Sequence, residues 1–236
     1  MAASVNTATG IGVDGCRAGW LAADNRGNWL CTGRMSEIIN SFQAQTIMVD
    51  MPMGLSGNGF HRNIEVYARK LLKGRASSIF NPPCRDAVFA ENYQIANQIN
   101  RAFNGKGISR QSWNIVPRIR ELDTLIQNQT ELKNVLREAH PELNFLMLNN
   151  FKPLEFNKKS KEGFKERLNI LCHYSEDSET IVSRGLNLIP RSMAAPDDFL
   201  DTLSLAILAN GVAKPLCAPE EDAFGIPVNL WIPANP

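Results

Sequence analysis

The sequence is poor in paired cysteines, in histidine, in net charge and in long apolar runs, and each shortage removes a class of protein. Its five cysteines, Cys16, Cys31, Cys84, Cys172 and Cys217, are odd in number and contain no Cys-x-x-Cys pair. That spacing argues against a disulfide framework or a zinc knuckle and for reduced thiols in a cytoplasmic protein. Lys plus Arg is 25 and Asp plus Glu is 24, a formal charge of +1, so bulk charge does not coat a nucleic acid and any polyanion contact must come from a local patch. The amino terminus MAASVNTATG lacks a basic start and an apolar core, and the run Thr202–Ala213 falls well short of the about 20 residues that span a bilayer. The expectation is a soluble chain with no membrane partner. No internal repeat or low-complexity tract is evident.

What is present is a chain of 236 residues, 44% hydrophobic and 21% charged, long enough to bury a proper core. Apolar alternation makes Ile11–Cys16 and Trp20–Asp24 strands, and the turn chemistry of Asn25-Arg26-Gly27-Asn28 leads to a third, Trp29–Gly33. Ser36 is placed to open a short helix to about Gln43. The run Thr46–Asp50 then reads as a central parallel strand ending on a carboxylate. Helical spacing follows over Arg62–Leu72 and, after the Asn81-Pro82-Pro83 breaker, over Arg85–Phe103. Residues Val135–His140 read as a strand stopped by Pro141. Asn157–Leu171 reads as a loop entering a helix with Lys and Arg on its outer face, and Pro196-Asp197-Asp198 opens an apolar helix over Phe199–Ala213.

This order of elements is that of an RNase H-like α/β fold: three antiparallel strands, then parallel strands, in a single domain over 1–236 with a helical basic insertion at about 56–132. From Gly59 to Arg120 there are eleven Lys or Arg against Glu65, Asp86 and Glu91, a local excess of eight that leaves the remainder at −7. The split points to one lobe facing an anion and another holding acidic chemistry, although a solvated helix surface has the same signature.

The acidic residues at strand ends and on the buried helix are Asp14, Asp50, Glu138, Asp198 and Asp201. Asp14 and Asp50 end adjacent strands if the sheet is as expected, and Asp198 and Asp201, three apart, share a helix face. Converging carboxylates repel, and the usual remedy is a hard divalent cation with oxygen ligands, here Mg²⁺ or Mn²⁺. For any one of these carboxylates a cap or turn role is an equal alternative. Asp14, flanked by glycines, and Asp201, followed by an apolar run, are the strongest. Arg17, Arg75, Arg85, Lys106 and His140 are the candidate substrate contacts, since guanidinium and ammonium groups match phosphate. His140 fits a general base or a hydrogen bond within its own loop. Gly105-Lys106-Gly107 with Ser109 lacks Walker spacing and reads as a flexible basic loop. No motif supports Cys84 as a nucleophile.

The strings GVDGCRAGW (Gly12–Trp20), DMPMGL (Asp50–Leu55), GRASSIFNPPCR (Gly74–Arg85), GKGISRQSWNI (Gly105–Ile115), REAHPELNF (Arg137–Phe145) and DDFLDTLSLA (Asp197–Ala206) resemble an uncharacterised bacterial and archaeal family of predicted nucleases with an RNase H-like fold. The resemblance implies Asp14, Asp50 and the Asp198/Asp201 pair as metal ligands, with Glu138 as an additional one. It implies a metal-dependent phosphodiesterase acting on nucleic acid or a nucleotide. Two other functions stay open: a non-catalytic module that binds nucleic acid or a phosphorylated ligand, and an ATP-dependent phosphotransferase, for whose second domain the chain has little room.

Overall fold

The structure, a computed structural model, describes residues 10–234. The chain divides into two compact units. One contains the residues up to Asp50, Asn134–Lys214 and the residues from Trp231 onward; the other contains Met51–Lys133 and Pro215–Leu230. In chain order the first unit begins with β1 (Gly10–Cys16), β2 (Gly19–Asp24), β3 (Trp29–Thr32), α1 (Met35–Phe42) and β4 (Thr46–Val49). The second unit follows with α2 (Ile64–Leu71), α3 (Arg85–Val88), α4 (Tyr93–Asn104) and α5 (Arg110–Asn128). The chain then returns to the first unit for β5 (Leu136–Glu138), α6 (Pro141–Leu148), α7 (Lys161–Tyr174), α8 (Ser178–Leu188) and α9 (Pro196–Asn210). Among the described residues, no helix is long and apolar enough to cross a membrane.

The first unit is an α/β fold on a five-stranded mixed sheet of order β3-β2-β1-β4-β5. The β1–β2 and β2–β3 pairs are antiparallel, and the β1–β4 and β4–β5 pairs are parallel. The meander and crossover expected from the sequence are both present. Strand alternation sends Ile11 and Val13 to one face and Gly12 and Asp14 to the other. On the second face Leu21, Ala23 and Trp29 pack with Phe145, Leu171, Ile181, Phe199 and Leu203 of the overlying helices. Trp29 anchors this layer, its ring 5.1 Å from that of Phe199 and its Nε1 donating to Ile181 O at 2.9 Å.

Helix α9 lies directly on β1, and glycine is the reason. A Cβ on Gly10 would sit 2.5 Å from Ala209 O, and one on Gly12 would sit 2.1 Å from Thr202 O. The two glycines remove the side-chain layer that ordinarily separates a strand from a helix. As β1 advances from Gly10 to Gly12, its neighbours on α9 run backward from Ala209 to Thr202. The next outward residue, Asp14, therefore comes level with the acidic first turns of α9.

The second unit is helical in its 51–133 segment. The single helix expected over Arg85–Phe103 is two helices, because the Asn92 side chain accepts from Ile95 N and caps a new start. Helix α5 runs through Pro117, whose missing N–H gives a sequence reading the sign of a break. Part of the basic excess is turned inward. Arg62 pairs with Glu65 at 2.5 Å, Arg85 bridges Asp123 and Asp222 at 2.6 Å each, and Arg120 donates to Val88 O and Ala90 O.

Candidate functional site

Two adjacent parallel strands supply the first pair of carboxylates. The register sets Gly12 opposite Met48 and Val13 opposite Val49, and Asp50 N donates to Val13 O at 2.9 Å, which carries the pairing one residue past the end of β4. Asp14 and Asp50 thus leave neighbouring strands at the same level and on the same face, the face covered by α9. Asp14 is 7% exposed and Asp201 2%; Asp50 and Asp198 are half-buried.

These groups feel one another. Burial raises the Asp14 carboxyl well above the ordinary range, and Asp50, Asp201 and Asp198 push it further. Asp201 is raised by burial and by Asp50 and Glu142, with Lys158 opposing. Asp50 is raised by burial and by Glu142, with His140 and Lys158 opposing. Asp198 is raised by burial despite accepting from Ala195 N at 2.7 Å. Each carboxylate costs energy in its ionised form because the others are near and water is scarce.

The cation inside the cluster is Lys158. Its Nζ lies 2.7 Å from Asp201 Oδ2 and 3.5 Å from Asp197 Oδ2. Burial disfavours its charge, but Asp201 and Asp14 more than compensate and hold it protonated. Glu142 is anchored by the fully buried Arg167 at 2.5 Å. Helix α7 therefore does not keep all its cations outside, as its sequence suggests. Among the described residues, Lys158, Arg167 and the half-buried His140 oppose the six acids Asp197, Asp198, Asp201, Asp14, Asp50 and Glu142, so the centre stays acid-rich. Asp201 Oδ1 is buried with no hydrogen-bond partner.

The structure thus brings together Asp14, Asp50, Asp198 and Asp201 and sets Glu138 elsewhere. Glu138 pairs with Val49, so it shares the face of Val13 and Val49, across the sheet from Asp14. Arg17 is exposed and donates to Arg191 O at 2.9 Å. Arg75, Arg85 and Lys106 belong to the second unit. There Arg75 is half-buried, Lys106 is exposed, and Arg85 is held by Asp123 and Asp222 under the ring of Phe224. The sequence reading missed Lys158, Asp197, Glu142 and Arg167. Nothing in Asn157-Lys158-Lys159 separates the half-buried, paired lysine from its exposed neighbour. Glu142, however, lies within the REAHPELNF string.

Among the described residues, no three His, Cys, Asp or Glu side chains are disposed to hold a metal ion as they stand. The donors are nonetheless all hard oxygens, in negative excess, with one buried carboxylate oxygen unpartnered. On donor type and charge they fit Mg²⁺ or Mn²⁺, and Lys158 occupies the electrostatic role that such an ion would share.

Fold and site together define an α/β protein with an acidic cluster at the ends of two parallel strands, beneath a closely packed helix. The family described as "Protein of unknown function (DUF429)" matches residues 12–223, and the chain belongs to it. Comparison with curated proteins and with solved structures gave no match.

Proposed function

We propose that the sheet-bearing unit is RNase H-like and that the protein is a metal-dependent phosphodiesterase acting on nucleic acid. The strand order, the crossover through α1 and the acidic helix laid on β1 support the fold. The carrying observation for the chemistry is that Asp14, Asp50 and Asp201, from three remote stretches of chain, meet on one sheet edge in mutual repulsion. Asp14, Asp50 and Asp201 would hold Mg²⁺ or Mn²⁺, with Asp198 beside them. The ion would supply Lewis-acid polarisation of a phosphoryl oxygen and a water acidic enough to attack near neutral pH. The residues themselves exclude bulk solvent, keep negative charge concentrated at one point and, through Gly12, fix the distance between strand and helix.

The test is hydrolysis of labelled single-stranded and double-stranded DNA, RNA and hybrid in Mn²⁺, with Asp14→Asn alongside. Cleavage lost in the variant is expected. No cleavage of any substrate, or an undiminished variant, overturns the assignment.

The Lys158–Asp201 ion pair favours a second reading, in which the acidic cluster, partly offset by its own lysine, is structural within a non-catalytic module that binds nucleic acid or a phosphorylated ligand. Salt-sensitive binding with no turnover and no response to Mn²⁺ would select it.

A further inference from the structure

The second unit contains a concave pocket of about 400 Å³, inside the size range of small-ligand sites. Two of the strings that stand out in the sequence converge on it. Gly74–Arg85 contributes Asn81 and the Pro82-Pro83 wall, and Gly105–Ile115 contributes Lys106, Ser109 and Ser112. A buried asparagine ties the two together: Asn100 Oδ1 accepts from Cys84 N at 2.9 Å, and its Nδ2 donates to Lys106 O at 2.8 Å. A second tie runs from Ile108 N to Asn97 Oδ1 at 2.9 Å. The basic loop read as flexible is therefore braced from below.

The chemistry of the lining is that of an anion site with a place for a ring. Its sole carboxylate, Glu65, is engaged by Arg62, which leaves Arg69 and Lys106 as its uncompensated cations. Arg69 is fixed at the wall by Ile79 O at 3.0 Å and by Asn81 Oδ1. The 19-residue helix α5 begins at the pocket. The Ser109 hydroxyl takes the Ser112 N–H at 3.0 Å, so the first N–H groups of the helix are left for other acceptors, at the positive end of its dipole. Phe80, 40% exposed, and His61, stacked on Phe103 at 4.7 Å, offer flat surfaces. Asn63 and Asn104 supply amides that both donate and accept.

We propose that this pocket binds a phosphate monoester carrying an aromatic base. Lys106, Arg69 and the start of α5 take the phosphate, and the rings and amides take the base. The ligand is a free mononucleotide or the 5′-phosphorylated end of a strand. The assignment does not depend on the phosphodiesterase reading of the acidic cluster.

Isothermal titration calorimetry on the full chain tests it, with AMP, adenosine and inorganic phosphate as probes. AMP binds at one site, and adenosine and phosphate each bind at least about tenfold more weakly, because each forfeits one half of the contacts. Lys106→Ala, at an exposed position, weakens AMP about tenfold, with its fold checked by circular dichroism. Phe80→Ala weakens AMP but leaves phosphate unchanged. Asp14→Asn binds AMP like wild type, which separates this site from the acidic cluster. A 5′-phosphorylated tetranucleotide that matches AMP, against a 5′-hydroxyl one that does not bind, identifies a strand end; AMP binding alone identifies a free nucleotide. Absence of AMP binding at millimolar concentration, AMP no tighter than phosphate, an undiminished Lys106→Ala, or weakening in Asp14→Asn overturns the proposal.

Discussion

A methyl group added at Gly12 tests the packing that assembles the acidic cluster. The new Cβ would lie 2.1 Å from Thr202 O, 2.4 Å from Ala206 N and 2.8 Å from Leu205 C, all backbone atoms of α9. No side chain can rotate to relieve these contacts. Raising 2.1 Å to the 3.0 Å floor for real Cβ contacts means that helix and strand part by about 0.9 Å. Overpacking in a well-packed core costs about 1–3 kcal/mol, and three backbone clashes place Gly12→Ala at the upper end. For a chain of 236 residues, about 3 kcal/mol lowers Tm by roughly 6–12 °C. The assay is thermal denaturation followed by circular dichroism. Gly33→Ala is the control, since a Cβ there meets only Ala18 O at 3.9 Å, and it should melt within about 1 °C of wild type. A Gly12→Ala protein that also melts within about 1 °C of wild type would refute direct strand-to-helix contact, and with it the account of how Asp14 reaches Asp201.

Lys158→Met removes the ammonium between Asp201 and Asp197. Stripping one partner from a buried pair costs about 3–5 kcal/mol, reduced here to about 1–3 because the lysine side chain is 36% exposed; an unchanged denaturant midpoint would contradict the pairing. Under the metal reading, added Mn²⁺ should raise the variant's Tm more than the wild type's. Asp14→Asn should stabilise the metal-free protein near neutral pH. The folded pKa of Asp14 is raised above its unfolded value, so the native state binds the extra proton and wild-type stability falls as pH rises through that window. The advantage of Asn should therefore shrink toward pH 4, near the unfolded carboxyl value, and an advantage that grows on acidification would invert the sign and reject the argument. Arg85→Ala leaves the buried carboxylates of Asp123 and Asp222 without their shared cation, at a cost of about 3–5 kcal/mol, so its main effect should be a lowered unfolding midpoint.

The sheet was legible because each of its signals is local. The alternation in GIGVDGC, the Asn25-to-Asn28 turn and the short apolar run before Asp50 each fix one element, and handed topology joins them. The helical unit was harder to read because local chemistry competes at two of its positions. Asn92 starts a helix where the apolar period runs on, and Pro117 sits inside a helix where its chemistry argues for a break. Of the carboxylates, Asp14, Asp50, Asp198 and Asp201 could be picked out because a charge beside apolar runs needs a partner. Glu138 passed the same filter but falls on the other face of the sheet. Strand parity decides that, and parity follows from the register with β4, which no single strand carries.

Lys158 marks where local reading ends. It lies in a loop beside an identical residue, Lys159, and only the fold brings its ammonium to Asp201, which is 43 positions away in the chain. Its consequence reaches back to the carboxylates. Lys158 opposes the upward push that burial, Asp50 and Glu142 exert on the Asp201 carboxyl, so a metal would have to compete with a tethered ammonium at high effective concentration. Under the metal reading, a site offset in this way would bind metal more weakly than the bare carboxylates. The relative Mn²⁺ affinities of wild type and Lys158→Met therefore measure how far the cluster is built for a cation that comes and goes.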